Sequence, residues 1–168
     1  TMPPSADFLV FYRDNLEAAM RRETELFFRH VLDHNQPPRE FLDADYSFLN
    51  RELALHYGIN GVEGNALKRV SLKGTGRGGL IGQGAFLTAS ANGVDTSPVV
   101  RGIYVLEKLL GYTPPPPPPD VPTIEPDIRG AVTIRGQLEK HREIATCAEC
   151  HRKIDPLGFA LENFDAIG

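Results

Sequence analysis

Cys147-Ala148-Glu149-Cys150-His151 holds both cysteines of the chain within five residues. Two thiols at this CxxCH spacing sit on one helical turn, where both can add to the vinyl groups of a single porphyrin. The next residue projects an imidazole toward the iron from the same side, and a proximal histidine is a standard ligand of haem iron. The pattern reads as the attachment site of one covalent haem (heme c). Cys147 and Cys150 are its tethers and His151 is the proximal iron ligand. Two thiolates and a histidine could also hold zinc. A closed structural zinc site takes a fourth ligand, usually from a second cysteine pair, and the sequence has no such pair. A thioredoxin-like dithiol needs a strand-turn-helix setting, whereas both flanks here read as helical.

The chain has 168 residues, enough for one domain or two small ones, and its 41% apolar content is ordinary for a globular protein. A net charge of −4 argues against a nucleic-acid partner, which wants a basic patch. No apolar run of about eighteen residues is present, so no membrane span is expected. The start, Thr1-Met2-Pro3-Pro4-Ser5, has neither the charged region nor the apolar core of a signal peptide. The chain reads as a fragment of a longer protein. Covalent haem attachment takes place outside the bacterial cytoplasm, so the haem reading implies an export signal not present here and a periplasmic or extracellular location.

The expected fold class is mainly α: a helical domain and a small cytochrome c-like haem segment joined by a polyproline linker. Asp14-Asn15-Leu16-Glu17 has the form of a helix start. Leu16, Met20, Phe27 and Val31 then recur at helical spacing to about residue 33. A second helix is expected from Asp45 to Tyr57, with Tyr46, Leu49, Leu53 and Tyr57 on one stripe and Gly58 as its stop. Lys68 to Leu72 suit a short strand. The glycines of Gly74 to Gly79 lack the following Gly-Lys-Ser/Thr of a phosphate cradle and read as a turn. A helix is expected from Gly79 to Ala91, with a turn at Asn92-Gly93. Ser97 as cap, Pro98 at the first position and Gly111 as the stop punctuate another helix, with Val99, Ile103, Leu106 and Leu110 as its apolar stripe.

Six prolines, Pro114 to Pro119, follow as extended polyproline II, roughly 19 Å long at about 3.1 Å per residue. Thr133 can cap a helix carrying Ile134, Leu138 and His141 on one face. Asp155-Pro156 is expected to start a last helix with Leu157, Leu161 and Phe164 facing one way. The domain reading is a helical domain over 1–58 and a glycine-rich loop with two core helices over 59–113. A Pro-rich linker over 114–130 and a c-type haem-binding segment over 131–168 follow.

Around the iron, backbone carbonyls between Asp155 and Leu157 are candidates to accept from the second ring nitrogen of His151, with Pro156 fixing that loop. Leu157, Phe159, Leu161 and Phe164 are candidate walls of the macrocycle, and Arg142, Arg152 and Lys153 candidate partners of its propionates. Candidates for the sixth ligand are Met2, Met20, His30, His34, His56 and His141. His141 stands first, as an ionisable ring on an apolar helix face near the motif. An open position, or one filled from another domain, is an equal alternative.

Thr96-Ser97-Pro98-Val99-Val100-Arg101-Gly102, the proline run, Leu138-Glu139-Lys140-His141-Arg142 and the attachment motif carry a resemblance. So does Ile154-Asp155-Pro156-Leu157-Gly158-Phe159-Ala160-Leu161-Glu162-Asn163-Phe164-Asp165. Together with Leu42-Asp43-Ala44-Asp45-Tyr46-Ser47-Phe48-Leu49-Asn50, they make the chain similar to planctomycete-type cytochrome c-like proteins, large multidomain chains containing several domains of unknown function. The resemblance covers nearly the whole chain and is most specific over 138–165. It implies a larger parent, with a cytochrome-like domain upstream and another domain after residue 168. Members often carry a Met shortly after the attachment histidine. Here Lys153-Ile154 fills that stretch, so no Met is assigned there.

The function expected is a c-type cytochrome module that binds one haem and transfers electrons within a larger exported redox protein. Its partner would be a redox protein or a neighbouring haem domain of the same parent chain. A peroxidase-like or other haem redox enzyme with an open iron position is the alternative. A structural or interaction module is the third reading. The aromatics fall at helix-core spacing rather than on an exposed platform, and no Ser-His-Asp order or carboxylate pair marks hydrolytic chemistry.

Overall fold

The computed structural model describes residues 4–13, 15–116, 136 and 145–168. Among the described residues about half are helical, and the strands form one two-stranded sheet, which makes the chain mainly α. It divides into two compact units, Thr1–Ser97 with Leu161–Gly168, and Pro98–Ala160.

The first unit opens with a short helix, α1 (Leu9–Tyr12), and then α2 (Leu16–Asp33). The periodicity of α2 is realised: Leu16, Ala19, Met20, Glu23, Phe27 and Val31 are buried along one face. Asn15 precedes it in the left-handed region at φ 58° and makes no side-chain cap, unlike the expected start. After α3 (Glu40–Asp43) the expected long helix does not form. Its first residues are instead strand β1 (Tyr46–Leu49), and only Arg51–His56 is helical, as α4. Asn50 separates the two, and its side chain accepts from the Leu53 N–H at 3.0 Å, a helix cap in the usual manner. β1 pairs antiparallel with β2 (Lys68–Ser71), Tyr46 opposite Ser71 and Leu49 opposite Lys68.

The helix expected over Gly79 to Ala91 is a 3₁₀ turn, Leu80–Gly82, followed by α5 (Gly84–Ala89). The turn at Asn92-Gly93 is present: Asn92 Oδ1 accepts from the N–H groups of Val94 and Asp95 at 2.9 and 2.7 Å. Phe11, Leu16, Met20, Leu49, Leu53, Leu72 and Ile167 meet in one core, and Phe27, Val31, Ala44 and Tyr46 in a second.

The second unit contains α6 (Pro98–Lys108) and α7 (Ala145–Phe159). The buried face of α6 is Pro98, Arg101, Gly102, Val105 and Leu106. The expected stripe is therefore rotated: Leu110 is exposed, and Val99 and Ile103 are only partly covered. The cause is the contact with α7. A Cβ on Gly102 would run into the carbonyl of Ile154, and a Cβ on Gly158 into the backbone of Pro98. Gly102 thus faces Ile154 while Pro98 faces Gly158, so the two helices run antiparallel and cross backbone against backbone.

Pro156 does not start a helix, as expected, but lies inside α7. A proline there removes the bond to the carbonyl four residues back, about 3 kcal/mol against an interior residue. That carbonyl belongs to Arg152, and both Arg152 and Pro156 are exposed; water can satisfy it, and the helix runs through. Pro114 to Pro116 adopt neither helix nor strand. The remaining prolines, the expected cap at Thr133 and the helix carrying Ile134, Leu138 and His141 lie outside the described residues.

Candidate haem-attachment site

Cys147, Cys150 and His151 all lie on α7. At 100° per residue they occupy an arc of about 100°, so the three side chains leave the helix on one side. Cys147 is 7% exposed and Cys150 partly exposed, and both are free thiols. Cys147 is in phase with Ile154 and Gly158, which touch α6.

His151 is oriented by a contact that sequence reasoning missed. Its Nδ1 lies 2.8 Å from Oδ1 of Asp155, one turn further along α7. The expected acceptor was a backbone carbonyl between Asp155 and Leu157. Those residues are instead helical, and the acceptor is the Asp155 carboxylate. A carboxylate only accepts, so the ring donates through Nδ1–H and Nε2 is the nitrogen that would ligate a metal. The side chains of His151 and Asp155 are 13% and 1% exposed, respectively, so the contact is shielded from water. The spacing of the pair, four residues apart, was available in the sequence. Reading Asp155-Pro156 as a helix start put His151 and Asp155 on different elements and hid it.

These observations fit covalent haem. The two thiols and the imidazole share one face of one continuous helix, and the imidazole carries the outer partner that metal-bound histidines usually have. Among the described residues no group of three or more His, Cys, Asp or Glu side chains is arranged to hold a metal ion by itself.

The other candidates are dispersed. Leu157 and Phe159 are partly buried on α7, and Pro156 is exposed. Phe164 belongs to the first unit, where the Arg77 guanidinium lies 4.6 Å from its ring centroid. Lys153 Nζ is 5.6 Å from the ring of Tyr112, and Arg152 is exposed. Met20 is a core residue of the first unit. His30 and His34 stack at 4.2 Å, and His34 Nδ1 lies 3.0 Å from the His30 carbonyl. His56 Nε2 is 3.2 Å from the Ile167 carbonyl, and burial pushes its ring below the ordinary histidine value. Met2, His141 and Arg142 lie outside the described residues.

The first unit also buries a polar network. Glu23 is fully buried. It accepts from Ser47 Oγ and Tyr57 Oη, both at 2.6 Å, and the Gly84 N–H donates to Tyr57 Oη at 2.6 Å. Arg77 stacks on the Tyr57 ring at 3.8 Å and donates to the carbonyls of Gly82 and Gly168 at 2.8 and 2.5 Å. These contacts tie α2, β1, α4 and α5 together.

No curated protein and no solved structure matches the chain. The family model PSD4, protein of unknown function (DUF1592), matches residues 1–59. The model PSCyt3, protein of unknown function (DUF1588), matches residues 77–168. Both are domains found in planctomycete-type cytochrome c-like proteins. The PSCyt3 match spans more than half of the chain, including α6 and α7, and the chain belongs to that family.

Proposed function

We propose that this chain is a monohaem c-type cytochrome module, exported to the periplasm or beyond, that passes electrons inside a larger redox protein. The observation that carries the reading is the placement of Cys147, Cys150 and His151 on one face of α7, with His151 held through Nδ1 by Asp155. When bound, haem supplies a one-electron ferric/ferrous couple. The chain supplies the rest. Cys147 and Cys150 each add an S–H bond across a vinyl group and hold the group without demanding non-covalent affinity. His151 presents Nε2, and Asp155 keeps the ring from turning. The electron donor and acceptor would be a redox partner or a neighbouring haem domain of the parent chain.

Intact mass tests this directly. The chain is produced behind an export signal in a host with cytochrome c maturation. It is expected to gain about 0.6 kDa that survives denaturation, through two thioether bonds. Cys147→Ser and Cys150→Ser together are expected to abolish the gain. Correctly exported wild-type protein with the bare polypeptide mass would end the reading.

A further inference from the structure

We infer that Asp155 is a positioning residue that holds the bound iron at low potential by making His151 a stronger electron donor, an inference that rests on the haem reading above. The outer ring nitrogen of a metal-bound histidine donates to a backbone carbonyl, a water or a carboxylate. Here the acceptor is the Asp155 carboxylate, at 2.8 Å from Nδ1. An anionic acceptor draws the Nδ1 proton toward itself and increases electron density at Nε2, and outer partners of this kind raise ligand basicity. A more basic ligand stabilises ferric iron over ferrous iron, which lowers the midpoint potential.

Three features make this contact stronger than a surface pair. The Asp155 side chain is 1% exposed, so water does not screen its charge. Both residues sit on one helix four positions apart, so the geometry is set by α7 itself. The helix is held at that point, because Ile154 and Gly158, on either side of Asp155, abut Gly102 and Pro98 of α6. An acceptor so fixed loses little to rearrangement when the iron changes charge.

The test is a mediated potentiometric titration, with dithionite as reductant, of the whole matured protein and three variants. Asp155→Asn keeps the shape and removes the charge. Asp155→Glu keeps the carboxylate but lengthens the side chain of a fully buried residue, which is expected to displace the 2.8 Å contact. Glu149→Gln removes a charge from an exposed position of the same helix and serves as control. In Asp155→Asn the ferrous-to-ferric ratio at a fixed ambient potential is expected to rise at least tenfold, a midpoint shift of about 59 mV upward. Asp155→Glu is expected to shift upward by less, and Glu149→Gln by less than threefold in the same ratio. If Asp155→Asn does not accumulate as folded protein, Asp155→Glu decides: an upward shift beyond the control supports the role. A midpoint unchanged from wild type, or moved no further than the control, overturns it. Failure of the underlying reading looks different, because wild-type protein would then carry no added mass and have no iron couple to titrate.

Discussion

Glu23 and Asp155 are fully buried carboxylates among the described residues; Glu23 accepts from two hydroxyls and Asp155 from the His151 ring. Asp155 lies beside His151; Glu23 serves the fold and leaves a signature in pH. Burial pushes its carboxyl up from 4.5 to about 7, against the lowering effect of the Ser47 and Tyr57 hydroxyls and of Arg77. The folded state therefore holds the Glu23 proton more tightly than the unfolded chain. This stability is fully present below about pH 4.5 and is lost as the pH rises to about 7. The span corresponds to roughly 3 kcal/mol. His56, whose ring is pushed down from 6.5 by burial, contributes a slope of opposite sign that overlaps this window. The comparison that isolates Glu23 is thus urea unfolding of wild type and Glu23→Gln at pH 4.5, 6 and 8. The stability difference is expected to move by roughly 3 kcal/mol in favour of the variant from the lowest pH to the highest. A difference constant with pH would mean that Glu23 is ionised throughout. The position of Glu23 was legible in the sequence, since it falls in phase with Leu16, Met20, Phe27 and Val31 on α2. Its partners were not, because Ser47 and Tyr57 are 24 and 34 residues away and nothing local names them.

Local signals placed α2 and the start of α6 correctly but misread Asp155-Pro156 as a helix start, and elements fixed by distant partners were missed. The start of α6 at Pro98 follows from a proline suited to the first helical position, and the reach of α2 to Asp33 from its periodicity. Tyr46, Leu49, Leu53 and Tyr57 have helical spacing too, yet Tyr46–Leu49 is a strand because Lys68–Ser71 offers it a ladder of hydrogen bonds. Periodicity cannot see that partner. Similarly, Gly102 and Gly158 read as weak helix formers until the crossing of α6 and α7 shows that neither has room for a methyl group. Gly102→Ala and Gly158→Ala are each expected to lower stability by about 3 kcal/mol or more, because the obstructing atoms are backbone and cannot rotate aside. Replacing the exposed Leu110 by Ala is expected to change stability by only about 0.5 kcal/mol. Chemical denaturation of the three proteins checks this, and glycine variants as stable as the parent would show that the helices do not cross so closely. The same crossing bounds the segment of α7 that carries Asp155, so both glycine variants also bear on how firmly His151 is held.

The two compact units differ in what they bury. The first joins Phe11, Leu16, Met20, Leu49, Leu53, Leu72 and Ile167 in a core and adds the aromatic cluster around Phe27 and Tyr46. Among the described residues of the second, the buried set is Pro98, Arg101, Gly102, Val105, Leu106, Cys147, Ile154, Asp155 and Gly158, which includes two charged side chains and two glycines. Fully burying one aliphatic side chain is worth about 1.5–3 kcal/mol, so the described residues of the second unit draw much less from this source than those of the first. A covalently held porphyrin would supply apolar surface where the described residues of this unit have little. Hydrogen exchange on the whole chain, with and without attached haem, separates the two contributions. Without haem, the amides of α6 and α7 are expected to exchange at least about tenfold faster than those of α2, reflecting a local opening free energy lower by about 1.4 kcal/mol or more. With haem attached, α6 and α7 should slow toward α2, while α2 itself stays unchanged, since its protection comes from a core that contains no attachment residue. Equal protection of α2, α6 and α7 in the haem-free chain would show that the second unit is stable on its own polypeptide contacts, and haem would then add a redox group to an already stable unit.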